Sequence, residues 1–292
     1  MINKKNLPIS VVIASIGSHS LFKTIDSIYA AKYKPKEIII SLPPDIFIKI
    51  RSIKDITIKI INSPKKGQVA QRAFGFKFVK QNYIVQCDDD IVFEDKTFLK
   101  MYENLIKLGS RNVVGPIYIN IDNNDNITKI EDGFRGFIVS LYHKFICLAP
   151  WSYKRMGSLT KIGIGYGVDP QRLNSKNPFQ VFWLNGGCVM CHRHDLILED
   201  YFPFKGKAYF EDTIHSILWG KKKNKMWVIP TAKCFQYEDN YLLDDLKSYN
   251  HRFQIHKFVV NMIGGSILRL YVWRVFFLIK YILLRNIINV KK

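Results

Sequence analysis

Between residues 9 and 87 the chain switches repeatedly from a short, strand-like run rich in apolar residues to a longer segment with a helical pattern. The runs are ISVVIA at 9–14, EIIISL at 37–42, TIKII at 57–61 and YIVQC at 83–87. A strand with one wet face alternates apolar and polar residues, so the apolar run at 9–14 predicts a strand covered on both faces. The intervening segments predict helices over about 21–33, around 46–51, and from the Pro64/Gly67 break to about residue 80, with Pro35 and Pro43-Pro44 as terminators. A βαβαβαβ order predicts a mostly parallel sheet with helices on both faces. Beyond it the pattern loosens. Residues 112–121 predict a strand and 122–126 a polar turn, while 131–178 read as a loop-rich substrate region. Residues 179–192 predict a strand, a Gly-Gly turn and a strand, and a helix starts near residue 211. Two short strands within 226–237 follow, and then helix.

With 292 residues, 48% of them hydrophobic, the chain can bury a full core. Its net charge of +20 directs attention to polyanionic partners: nucleic acid, an acidic membrane leaflet or phosphorylated substrates. The opening MINKKNLPISVVIAS carries only a strand-length apolar run, which does not make a secretory signal. Five scattered cysteines, an odd number, fit reduced thiols in a cytoplasmic protein. The CVMCH string at 188–192 has the spacing of haem attachment, but on a strand its two thiols point to opposite faces.

The sharpest chemical signal is Asp88, Asp89 and Asp90, directly after the fourth run. Three adjacent carboxylates repel one another, and solvent or a cation must relieve the repulsion. Their place after a strand puts them at the carboxyl edge of the sheet, where open α/β folds bind ligands. The Asp88/Asp90 spacing can present oxygen ligands to one hard cation, which in turn can hold two phosphates. Read without context, the triplet is equally a solvated acidic turn.

Four segments in order supply the context: residues 9–28, from ISVVIA into the first helix; GQVAQR at 67–72; YIVQCDDDIV at 83–92; and WLNGG at 183–187 with FED at 210–212. This combination resembles glycosyltransferase family 2, over roughly residues 8–240. The resemblance implies a GT-A-like, Rossmann-type fold and transfer of a sugar, with inversion, from a nucleotide-sugar, by family prior a UDP-sugar. It implies Mg2+ or Mn2+ as cofactor, with Asp88 and Asp90 as metal ligands. Ala14, Ser15, Asp45, Gln68, Arg72, Asp88 and Asp89 are then the nucleotide-sugar site. Trp183, Gly186 and Gly187 form the acceptor-side turn, and Asp212 is the catalytic base with Glu211 beside it, able to orient the acceptor. By its position alone Asp212 is a first-turn carboxylate that compensates a helix dipole. Two departures stand out. Where many members place an acidic pair after the second strand, this chain has SLPPD at 41–45, leaving Asp45 as the substitute. Where many place a histidine after the last strand, it has CFQYED at 234–239, leaving Gln236, Glu238 or water as third metal ligand.

Residues 267–292 are rich in Leu, Ile, Phe, Tyr and Trp, with Arg269, Arg274, Lys280 and Arg285 interspersed. No uncharged run approaches the ~20 residues that span a bilayer. At helical spacing the four cations share one broad side, which predicts a helix lying on an anionic membrane surface with Trp273 and Tyr281 at headgroup depth. The alternative is a helix packed on the domain. The expected organisation is a glycosyltransferase domain at 1–240 and a helical, membrane-associating extension at 241–292. The protein is expected in the cytoplasm, peripheral to the inner face of the plasma membrane. Its expected acceptor is a saccharide or lipid-linked molecule, in surface polysaccharide biosynthesis. A nucleotidyltransferase on the same fold remains as a rival, opposed by ASIGS at 14–18, which lacks that class's Gly-rich basic loop. A nucleic-acid-binding module is the other rival. Its basic residues would interleave with stacking aromatics on one surface, whereas here they are dispersed, and no nucleic-acid partner is expected.

Overall fold

The computed structural model of the chain describes residues 6–237 and 246–290. Strands β1 (Asn6–Ala14), β2 (Lys34–Leu42), β3 (Thr57–Asn62) and β4 (Tyr83–Cys87) lie side by side in the order β3-β2-β1-β4, all parallel. Helix α1 (His19–Ala30) and helix α3 (Thr97–Leu108) cover one face, and α2 (Gln68–Gly75) and α5 (Glu211–Lys221) the other. The strand runs explain this directly. Along β1, Ile9, Val11 and Ile13 enter the α1/α3 core, while Val12 enters the α2/α5 core.

Beyond β4 the sheet changes direction. β8 (Cys188–His192) inserts antiparallel between β4 and β6 (Asn112–Asn120), and β9 (Lys225–Gln236) continues parallel to β6. Short β5 (Val92–Phe93) and β7 (Phe179–Val181) each pair antiparallel with β9. The sheet is therefore a large, mostly parallel one with antiparallel insertions, flanked by helices.

Several expectations are corrected. Residues 46–51 form no helix. Ile46, Ile48 and Ile50 alternate toward the core with period two, and the Asn62 amide donates to the carbonyls of Pro43 and Ile46, both at 2.8 Å, holding the segment extended. The second helix stops at Gly75 and tightens into a 3₁₀ turn at Phe76–Phe78. β7 and β8 are not a hairpin, because each finds a longer-range partner. The two short strands expected within 226–237 are one strand, in which the pairing with β6 jumps from Ile229 to Lys233. Residues 131–178 contain a full helix, α4 (Gly133–Phe145).

Helix α6 (Leu246–Met262) packs Ile255 and Val259 against Ile214 of α5. Its buried His256 makes a 2.6 Å hydrogen bond with the Ile162 carbonyl. Helix α7 (Ile267–Val290) then lays Leu270 and Trp273 on Phe253 and Val260 of α6.

Candidate active site

The carboxyl ends of β1 and β4 lie side by side, with Ile13 opposite Cys87, so Ala14, Ser15 and the three aspartates share one edge of the sheet. They floor a cleft of about 1170 Å³. Gln68 and Gln71 of α2 and Gln236 at the end of β9 join the floor. Two loops supply the walls, one with Lys65 and Lys66, the other with Phe202, Phe204, Lys205 and Lys207. The loops meet at an exposed Lys65–Asp200 ion pair of 3.5 Å.

Each aspartate is held differently. Asp89 accepts from the hydroxyls of Ser15 and Ser18, the latter at 2.9 Å. Asp90 Oδ2 accepts from the Gln236 amide at 3.3 Å. Asp88 Oδ1 accepts from Gln68 Nε2 at 2.8 Å and from Arg72 Nη2 at 2.7 Å. Arg72 is 2% exposed, and its Nη1 donates to Glu211 Oε2 at 3.0 Å. Tyr201 donates its hydroxyl to the same oxygen at 3.1 Å. A buried guanidinium thus bridges two carboxylates that lie 123 residues apart in sequence, Asp88 and Glu211. Burial opposes the charge on Arg72, but Glu211 and Asp88 outweigh it and raise its pKa. Burial pushes the Asp88 carboxyl up to about 7 against the pull of Arg72, with Glu211 and Asp90 adding to the rise.

The Gly186-Gly187 turn abuts both acidic groups. Cys87 pairs with Cys188, and Asp88 donates its backbone N–H to the Gly187 carbonyl at 2.9 Å. A Cβ at Gly186 would lie 2.5 Å from Glu211 Oε1 and 3.0 Å from Asp212 Cβ, so glycine lets the turn come close to the start of α5 without shifting Glu211. Asp212 is partly exposed there, its Oδ1 accepting from Thr213 N at 2.7 Å. Burial first, then the charge of Glu211, pushes its carboxyl up to about 7.

The cleft therefore gathers Ala14, Ser15, Gln68, Asp88, Asp89 and Asp90, with Arg72, Glu211, Gly186, Gly187 and Asp212 directly behind or beside them. Two of the residues read from sequence stand apart. Asp45 is exposed on the loop after β2 and does not line the cleft. Trp183 packs on Gly165 and faces a separate small pocket behind β6. Glu238 lies outside the described residues. His215 is buried and stacked on Trp219 at 3.7 Å, neither ring nitrogen is hydrogen-bonded, and burial holds its pKa well below the ordinary value. Sequence reasoning missed Tyr201, Ser18 and Gln71. Gln71 donates to the Ser15 and Ser41 carbonyls at 2.8 and 2.7 Å and ties α2 to the ends of β1 and β2. A spacing that puts Gln68, Gln71 and Arg72 on one helical face was the available signal for it.

The donor set suits a hard divalent cation completed by its ligand. Asp88 keeps Oδ2 outside the bonds to Arg72 and Gln68, and Asp90 faces the same cleft. Among the described residues no three His, Cys, Asp or Glu side chains form a cation cage. A cation held there would take its remaining ligands from phosphate oxygens and water, as is usual for Mg2+ at phosphate sites.

The family model for glycosyl transferase family 2 matches residues 10–183. Among solved structures the chain is similar to GalNAc-T7, crystallised with UDP, GalNAc and Mn2+. The TM-score is 0.57 at 15% identity, over 87% of this chain and 48% of that one. It is also similar to S. aureus TarS 1-349 in complex with UDP-GlcNAc, with a TM-score of 0.52 at 12% identity, over 91% of this chain and 69% of that one. The chain thus spans about half the length of the first of these structures. No curated protein matches it in sequence. At these identities the structural likeness is one of fold.

Proposed function

The chain belongs to glycosyl transferase family 2, and from that premise we propose that it is a metal-dependent, inverting transferase moving a sugar from a UDP-sugar to a saccharide or lipid-linked acceptor. The observation that carries the reading is the aspartate triplet on the cleft floor, with Asp88 fixed by Arg72 and Gln68. In this reading Asp88 and Asp90 hold Mg2+ or Mn2+. A cation held there would supply positive charge against the leaving diphosphate. Ser15 and Gln68 face the donor, and the wall lysines add positive charge for its phosphates. Asp212 takes the proton of the acceptor hydroxyl as that oxygen bonds to the anomeric carbon and the bond to the diphosphate breaks. Glu211 is assigned a positioning role, since its Oε2 is already bound by Arg72 and Tyr201. Gly186 and Gly187 let the acceptor approach the backbone beside Asp212.

The exposed face of α7 supports peripheral association with an anionic membrane, as suits an enzyme of surface polysaccharide synthesis. Leu268, Val275 and Ile279 are each more than half exposed on that face. No described helix is long and apolar enough to cross a membrane. Trp273 is not free for headgroups, since it stacks on Phe277 at 5.1 Å. Arg274 lies 3.9 Å from the Phe253 ring centroid and donates to Asn250 at 2.9 Å, so it serves helix packing. The side chains of Lys280, Tyr281 and Arg285 lie outside the described residues.

The test of the donor site is Asp90→Ala. Calorimetry with UDP is expected to show the Mn2+-dependent gain in affinity abolished, while the protein melts as before because Asp90 lies at the cleft surface. An unchanged gain would remove Asp90 from the metal site.

A further inference from the structure

Helix α4 is turned the wrong way for a soluble protein. A surface helix normally buries its apolar stripe and shows water its polar one. In α4 the buried positions are Gly136 and Ser140. Phe134, Phe137, Ile138 and Phe145 are 81, 50, 49 and 60% exposed, and they fall within an arc of roughly 100°. The inward placement of the small residues is enforced by packing. A Cβ at Gly136 would lie 2.1 Å from the Glu131 carbonyl oxygen, and Ser140 accepts from buried Arg155 at 3.2 Å. Rotating the helix to hide its phenylalanines would break the Ser140–Arg155 contact. Trp151 extends the patch, its ring centroid 6.0 Å from that of Phe137.

Four exposed large apolar side chains in one arc exceed the scattered exposure ordinary on soluble surfaces. Their surroundings indicate what covers them. Lys144 and Lys154 are exposed beside the ridge, while exposed Arg135 pairs with Glu131 at 2.9 Å, in a chain of net charge +20. Apolar side chains bordered by cations fit an anionic lipid surface, where the former enter the acyl boundary and the latter meet phosphates. A second exposed apolar ridge lies on α7, and both helices rest on one loop: His143 of α4 and the Tyr166 hydroxyl are hydrogen-bonded at 2.6 Å, and Ser266, just before α7, donates its N–H to the Lys161 carbonyl at 2.9 Å.

We propose that α4 and α7 together form one membrane-docking platform, in which the phenylalanine ridge of α4 inserts into the interface of an anionic bilayer beside α7. This deepens the membrane reading of α7 and rests on it.

The test uses the full chain and vesicles of phosphatidylcholine with phosphatidylglycerol. Phe134→Ser with Phe137→Ser is expected to lower vesicle partitioning by about tenfold or more, with melting temperature and Mn2+-dependent UDP affinity unchanged. Val275→Ser with Ile279→Ser on α7 is expected to act likewise. Partitioning lost only in the α7 variant would keep that helix as the anchor and overturn the role of α4. Native-like partitioning by the α4 variant, with loss of a dimer seen by lipid-free size exclusion, would assign the ridge to a second copy of the chain and equally overturn it. A native chain that ignores the vesicles, yet binds UDP, would overturn the platform and leave the transferase reading standing.

Discussion

Replacing Asp212 with asparagine is expected to lower turnover by about 10²-fold or more, as loss of a general base does, while donor affinity stays close to native. The amide keeps the size of the carboxylate and can still accept from Thr213 N, so the start of α5 should hold its shape. What it cannot do is take a proton. The pH profile provides the sharper readout. Burial and the neighbouring charge of Glu211 push the Asp212 carboxyl up to about 7, so the base form fills only as pH rises through neutrality. Native turnover at saturating cation should therefore rise with pH through about 7, and the residual turnover of the variant should lose that limb. A variant retaining both rate and limb would place the base elsewhere.

The second large effect is on stability. Arg72→Met is expected to cost about 3–5 kcal/mol, the range for stripping one partner from a buried ion pair. It leaves Glu211, which is 5% exposed, and Asp88 facing each other without the cation between them. The sign of the pH dependence follows. Without Arg72 the folded-state pKa of Asp88 goes further above its unfolded value, because the guanidinium was the main force lowering it. Such a group contributes stability at low pH and loses it as pH rises through the folded pKa. The deficit in urea unfolding should thus be larger at pH 8 than at pH 5. Adding Glu211→Gln should recover part of it by removing one of the two stranded charges. A deficit independent of pH would mean that lost packing, not lost charge pairing, dominates.

The parts of this fold legible in the sequence are those where one local rule acts alone. β4 is bounded as expected, at residues 83–87, because a five-residue apolar run before three aspartates has no helical alternative. The position of Asp88, Asp89 and Asp90 at the carboxyl edge of the sheet was legible for the same reason. Where two signals compete, the tertiary one wins. Gly186-Gly187 suggests a tight hairpin locally, yet β7 pairs with β9 and β8 with β4 and β6, since those partners bury both faces. The spacing of Phe134, Phe137, Ile138 and Phe145 is helical, but glycines at 133 and 136 lower the propensity and so obscured α4. The Arg72 bridge had no local signal at all. Its carboxylates come from the end of β4 and the start of α5, and nothing near Arg72 in sequence names either.

The tight fit at Gly186 has a consequence for how such a protein can diversify. A Cβ at this position would come within 2.5 Å of the Glu211 carboxylate, so a larger residue would have to displace the acid that Arg72 holds. Variation at this turn is therefore tied to the Arg72 bridge. The walls are under no such restriction: Lys65, Lys66, Lys205 and Lys207 are exposed on loops, where exchange costs little stability. New ligand preferences would therefore arise more readily by drift and selection in the walls than at this turn.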